Sequence, residues 1–281
     1  MHLSFQIAPF AFSLAAVACW GASDFIGGYA SRSANAFLIT AIAHGSGLLF
    51  VTALAIAQHS VLPSHRSLAW ALAAGLSGGA ALALFYRALS TGRMGLAAPV
   101  SAVVGAAIPT AFAIFFEGLP HPIQIAGFLL AGLGIWLVSR PDDAGAPDNI
   151  GLALAAGIGF AGFFLCIKQA GNGSAFWIAA ASRAASLLLT GAIVLLWQTF
   201  RDADRFRVQL AALAGCLDVS GSVLFIRASQ AGRLDEAVVL TSLYPVVTVL
   251  LARFFLRERF TRWKAIGVLA ALLAVPMISI K

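Results

Sequence analysis

The sequence predicts an all-α integral membrane protein of ten transmembrane helices, built as two inverted five-helix repeats. Three observations carry that prediction. Hydrophobic residues fill 60% of the 281 positions and charged residues only 10%, against about 25% charged in soluble domains. So much apolar side chain cannot be hidden in one soluble core, and lipid must solvate most of it. Ten apolar runs approach the roughly 20 residues that a helix needs to cross the hydrocarbon. A motif also recurs after half the chain. Leu84-Phe85-Tyr86-Arg87-Ala88 is followed by Gly92-Arg93, and Leu224-Phe225-Ile226-Arg227-Ala228 by Gly232-Arg233, a step of 227 − 87 = 140 positions. So long a period in an apolar chain points to paired transporter halves rather than a solenoid.

The expected spans are Pro9–Tyr29, Ala36–Ala57, Ser67–Leu89, Gly95–Phe116 and Pro122–Ser139, then Asn149–Gln169, Ala175–Gln198, Val208–Ser229, Ala237–Phe255 and Trp263–Ile280. Polar punctuation separates them: Pro63 and Arg66 after the second span, and Glu117-Gly118-Leu119-Pro120-His121-Pro122 after the fourth. The most polar stretch, Arg140 to Asp148, is the natural linker. The domains are therefore residues 1–140 and 149–281, with 141–148 between them. Gly75 matches Gly215 across the step, Phe115 matches Phe255 and Gly127 matches Gly267. Each repeat crosses the membrane an odd number of times, so the second copy enters from the opposite side. Inverted repeats of this kind place a binding site near the midplane between the halves.

The net charge of +7 does not imply nucleic acid. The basic residues are mostly single arginines between apolar blocks, without interleaved aromatics in a patch. The expected partners are a small-molecule solute and the lipid bilayer, with proton coupling a candidate, no nucleic acid, and a monomer or homodimer as the assembly. Cys19, Cys166 and Cys216 fall inside apolar stretches without ligand spacing, so neither disulfide nor metal is expected. The first apolar stretch has no basic leader and reads as the first span. No P-loop, metal-ligand cluster or nucleophile elbow occurs, so no cofactor, no metal and no catalytic residue is assigned.

Ionisable groups inside spans are costly and are candidates for function. Asp218 shares one helical face with Gly215, Ser222 and Phe225, at spacings that suit a cavity wall. It can bind a substrate amine, carry a proton, or form an ion pair with Arg183. Asp24 lies one turn from Trp20, a pairing suited to an ammonium group; a place near the interface is the alternative. Arg183 offers a bidentate fork to a carboxylate or to an acidic partner. His44 and Asp218 are the candidate proton relay, with a hydrogen-bonded structural role the competing reading for His44. Trp20 and Phe160 are equivalent across the repeat, and Phe164 follows Phe160 by one turn; these aromatics can line a cavity or face lipid. Thr241 and Tyr244 flank Pro245 in the ninth span. That span and the fourth, with Pro99 and Pro109, are the expected kinked or discontinuous helices. Phe85-Tyr86-Arg87 reads as an interface anchor, and Lys168 as a side chain reaching for the membrane surface.

Trp20-Gly21, the duplicated five-helix unit, Ser242-Leu243-Tyr244-Pro245-Val246, Leu256-Arg257-Glu258-Arg259-Phe260-Thr261 and Gly267 together resemble the drug/metabolite transporter superfamily, in its ten-helix EamA type. The likeness covers essentially the whole chain and departs at Glu117-Gly118-Leu119-Pro120. It implies a secondary carrier of small metabolites, often an exporter of amino acids or related compounds from the cell through its inner or plasma membrane. It also implies a central cavity and cytoplasmic termini. Charge opposes that orientation, since most arginines fall on the side away from the termini and positive residues prefer the cytoplasm. The sequence reading is therefore a multi-pass transporter working by alternating access. A membrane-embedded enzyme or a non-transporting scaffold is the alternative.

Overall fold

The computed structural model describes residues 3–91, 94–138, 150–197, 203–256 and 261–279. Gly92, Arg93, the 141–148 linker and Arg257-Glu258-Arg259-Phe260 lie outside the described residues. Within them the chain is helical throughout: α1 (Leu3–Ser31), α2 (Ala36–Ala57), α3 (His65–Thr91), α4 (Met94–Glu117), α5 (Pro122–Val138), α6 (Ile150–Ala170), α7 (Ala175–Trp197), α8 (Arg205–Ala231), α9 (Leu234–Thr241), α10 (Tyr244–Phe255) and α11 (Arg262–Ser279). Local chemistry sets several ends. The Asn35 side chain accepts from the Phe37 amide at 2.9 Å and caps α2, and Asp204 caps α8 by accepting from Arg207 N, each satisfying an orphan amide of the first turn. Gly118 and Gly171 have φ of 89° and 73° and stop α4 and α6, a conformation that costs glycine little.

Among the described residues, eight helical segments are long and apolar enough to cross a membrane, counting Leu234–Phe255 as one. Of the remaining two, α5 is shorter at 17 residues, about 26 Å at the helical rise; α11 has 18. The chain is thus a multi-pass integral membrane protein. Large apolar side chains such as Leu49, Leu129, Leu188 and Phe254 are exposed on the outer helix faces, where lipid is their solvent.

The ninth span is two helices. Pro245 lacks an amide proton and its ring crowds the preceding turn, so α9 ends at Thr241 and Pro245 sits in the first turn of α10, where its fixed φ suits a helix start. The fourth span holds Pro99 and Pro109 within one continuous helix, so the backbone break belongs to the second repeat.

Packing obeys the repeat. The first-half helices α1 to α5 correspond to α6, α7, α8, α9–α10 and α11. Helix α1 packs on α8 as α6 packs on α3, and α2 packs on α8 as α7 packs on α3. The self-equivalent pairs α2–α7 and α5–α11 also touch. The equivalent glycines mark one crossing twice: a Cβ on Gly75 would stand 2.0 Å from Ser182 O, and one on Gly215 2.0 Å from Ala43 O. Small residues let backbones approach this closely in lipid, where helix association depends on packing. Most close helix pairs join one half to the other, so the repeats interdigitate.

One expectation is corrected. Phe85 and Tyr86 are 1% and 0% exposed and do not anchor the chain at the interface. Tyr86 points into α1, where its hydroxyl occupies the space a Cβ on Gly27 would need. Its aromatic bulk fills the α1–α3 contact, while Arg87 faces outward.

Candidate functional site

A cavity opens where the two repeats meet, and both supply its wall. From the first half come Trp20 and Asp24 of α1, Gly78 and Leu82 of α3, and Ser101, Ala102 and Gly105 of α4. From the second come Phe160, Phe163 and Phe164 of α6, Ser182, Arg183 and Ser186 of α7, Asp218 and Ser222 of α8, and Ser242 and Tyr244 at the α9–α10 break. Most of these positions lie near the middle of their spans. The cavity volume is about 60 Å³, room for roughly four or five waters.

Close helix contacts aim the lining. A Cβ on Gly21 would stand 2.7 Å from Tyr244 O, so glycine there lets the broken span press against α1. Thr248 seals the same contact by donating to Gly21 O at 3.1 Å. Gly221 seats the Trp20 indole, with Trp20 Cδ1 2.5 Å from where its Cβ would be. Trp20 Nε1 donates to Asp218 O at 3.1 Å, and Ser23 donates to Ala214 O at 2.8 Å. Trp20 then stacks among Phe163, Phe164 and Phe225, with ring centroids 6.5, 6.0 and 5.7 Å away. Such offset and edge contacts hold aromatic rings in fixed orientations.

The charges are unevenly satisfied. Arg183 Nη1 pairs with Asp218 Oδ2 at 2.7 Å and lies 3.1 Å from His44 Nδ1. Its Nη2 donates to Ser222 Oγ at 2.5 Å, and Ser222 Oγ donates to Asp218 O at 3.0 Å. A guanidinium has only donors, so His44 Nδ1 accepts and the ring is uncharged. His44 Nε2 and Arg183 Nε are buried without partners among the described residues. Asp24 is different: it is 9% exposed, lines the cavity, and makes neither hydrogen bond nor ion pair among the described residues.

The sequence-named residues therefore divide. Trp20, Asp24, Phe160, Phe164, Arg183, Asp218, Ser222 and Tyr244 meet at one cavity. His44, wholly buried, stands behind Arg183. Thr241 is also wholly buried, and its hydroxyl donates to Ala237 O at 2.7 Å within α9. Sequence reasoning did not assign Phe163, Leu82, Gly105, Ser182, Ser186 or Ser242 to the site. Phe163 adjoins a named aromatic, and Ser182 and Ser186 flank Arg183 on its helix, the only local signals for them.

A second polar layer closes the end of the bundle that holds the termini. Arg233 grips Asp235 with Nε at 3.0 Å and Nη2 at 2.9 Å, and donates to Glu117 O and Gly118 O. The Asp235 hydrogen bonds hold the Arg233 guanidinium above its ordinary pKa. Lys168 pairs with Glu117 at 3.1 Å, and Gln124 donates to Glu236 Oε1 at 2.9 Å. The ninth span was expected to begin at Ala237. Helix α9 begins at Leu234 instead, which puts Asp235 and Glu236 in its first turn, where the helix dipole favours acids.

Comparisons with known proteins agree with this architecture. The model of the EamA-like transporter family matches the chain twice, over residues 8–140 and 149–280. An uncharacterized protein of Methanocaldococcus jannaschii is 28% identical over 131 residues, which cover 47% of this chain and 94% of the relative. That relative is thus about as long as one repeat. A solved crystal structure superposes with a TM-score of 0.77 at 16% identity, covering 96% of this chain and 95% of the other; at that identity the likeness concerns the fold.

Proposed function

The chain belongs to the EamA-like transporter family, and from that premise we propose that it carries small organic solutes across the cell's inner or plasma membrane by alternating access. Amino acids and related metabolites are the proposed cargo, moved outward. The repeats are taken as 1–140 and 149–281, with 141–148 joining them. The observation that carries the reading is the cavity itself: it lies between inverted halves, draws its wall from both, and holds ionisable groups within membrane spans. Rocking of one set of helices against the other would expose it to each side in turn. Trp20, Phe160, Phe164 and Tyr244 serve as walls, and Asp24, Asp218 and Ser222 as polar contacts. Arg183 orients Asp218, and Thr241 supports the broken span. Proton coupling through Asp218 and His44 belongs to the same reading.

The test is transport by the full chain in proteoliposomes, loaded with a mixed metabolite pool and analysed for solutes released against an empty-vesicle control. Selective release of at least one small solute, reduced in Asp218→Asn, is the expected result. Release no greater than the control for every solute would overturn the proposal. Dissipating an imposed pH gradient during the same assay tests proton coupling, which predicts a change in rate.

A further inference from the structure

We infer that the central cavity selects organic cations with an aromatic or apolar body and no free carboxylate: amines, rather than the amino acids they derive from. This rests on the transport reading above; of the cargo named there it keeps the related amines and sets aside the amino acids themselves. The argument is one of charge left over. Arg183 is the cation on the wall, and its terminal nitrogens are spent on Asp218, His44 and Ser222. Another donor, Nε, is buried without a partner among the described residues. A substrate carboxylate drawn to Arg183 would therefore have to share it with Asp218, or break that pair and leave a buried charge without its partner.

Asp24 is the converse. Its carboxyl group lines the same cavity, 9% exposed, with no hydrogen bond or ion pair among the described residues. The Asp218 and Arg183 charges cancel, so Asp24 is the carboxyl left in the cavity to meet a cationic group. Trp20 lies one turn away on the same helix face, and Tyr244 and Phe164 complete an aromatic wall. An ammonium group against Asp24 would gain a charge-assisted hydrogen bond and attraction to ring faces. A carboxylate on the same molecule would have to compete with Asp218 for Arg183, and like charges brought together oppose binding.

The experiment is a matched charge series: 2-phenylethylamine, phenylalanine and 3-phenylpropionate titrated calorimetrically into the purified full chain in nanodiscs. The amine should bind at least about tenfold more tightly than the zwitterion, and the anion should not bind, as loss of one charge-assisted contact in a buried site predicts. Asp24→Asn should abolish the amine's advantage, while Asp24→Glu should retain it. The glutamate variant and the wild-type series stand even if the asparagine variant fails to fold. Equal or tighter binding of the zwitterion or anion, full amine binding by Asp24→Asn, or no binding of any of the three would overturn the inference. Proteoliposome counterflow separates the two claims. Carriage of phenylalanine but not of the amine defeats the cargo class and leaves transport intact. Binding of the amine without flux of any solute supports the class and defeats transport.

Discussion

Replacing Asp218 with asparagine removes one charge and almost no volume. The Arg183–Asp218 contact is 2.7 Å long, and the two side chains are 7% and 13% exposed. The amide keeps an acceptor near Arg183, which also retains His44 and Ser222, so the loss is chiefly charge compensation. Breaking a buried pair from one side costs about 3–5 kcal/mol. The pair borders a cavity large enough for water, which argues for the lower end, about 3 kcal/mol. Arg183→Gln should cost a similar amount from the other side. The double variant removes both charges and should lie within about 1 kcal/mol of the parent, because replacing a whole buried pair is often close to neutral. The coupling energy should then be several kcal/mol, well above the scatter of independent sites at about 0.3–0.5 kcal/mol. Reversible denaturation of the four proteins in mixed micelles, followed by far-ultraviolet circular dichroism, measures each corner of the cycle. Single-variant costs below about 1 kcal/mol, or additive effects in the double variant, would refute the claim that this pair is a desolvated unit. A double variant that is stable but inactive in transport would separate the pair's part in folding from its part in moving solute.

The glycine crossings give a symmetric prediction. Gly75→Ala and Gly215→Ala each drive a methyl into a backbone carbonyl 2.0 Å away and should each destabilise by about 1–3 kcal/mol. Gly132→Ala and Gly191→Ala meet nothing within 4 Å and should be neutral, or stabilising by up to about 1 kcal/mol; thermal melts in detergent compare all four. Gly221→Ala should displace the Trp20 indole, lowering the melting midpoint and shifting tryptophan emission, at about 1–3 kcal/mol. At the termini-side layer, Arg233→Ala strips Asp235, whose side chain is wholly buried, of its cation. A loss of about 1–3 kcal/mol is expected, with Arg233→Lys losing less, and unchanged stability would show that solvent or another group takes over.

Different parts of the architecture were legible to different depths. The apolar runs located the spans because the lipid requirement acts on composition, whatever the packing. The break in the ninth span was signalled by Pro245, since a missing amide acts locally. Pro109 sends the same signal, yet α4 continues through it, so the rule that a proline ends a helix did not decide the case. Phe85 and Tyr86 misled because aromatics beside an arginine near a helix end suit an interface, and burial depends on which face meets α1. The Lys168–Glu117 and Arg233–Glu117 contacts join loop ends whose nearness arises only when the halves interlock.

By itself the sequence determined that lipid is the solvent, that the unit is duplicated, and that odd crossings invert the second copy. It also confined charge within the spans to a few positions. Composition, period and parity settle these matters without knowledge of any contact. Only the tertiary structure decided which charges meet. Helical periodicity shows which residues share a face, but the rotation of that face toward a neighbour is set by close packing at sites such as Gly75, Gly215 and Gly221. That packing gives Asp218 to Arg183 and leaves Asp24 unpaired in the cavity. In so dry an interior, the energy of a charge depends on the few atoms beside it, which is why its role had to wait for the folded helices.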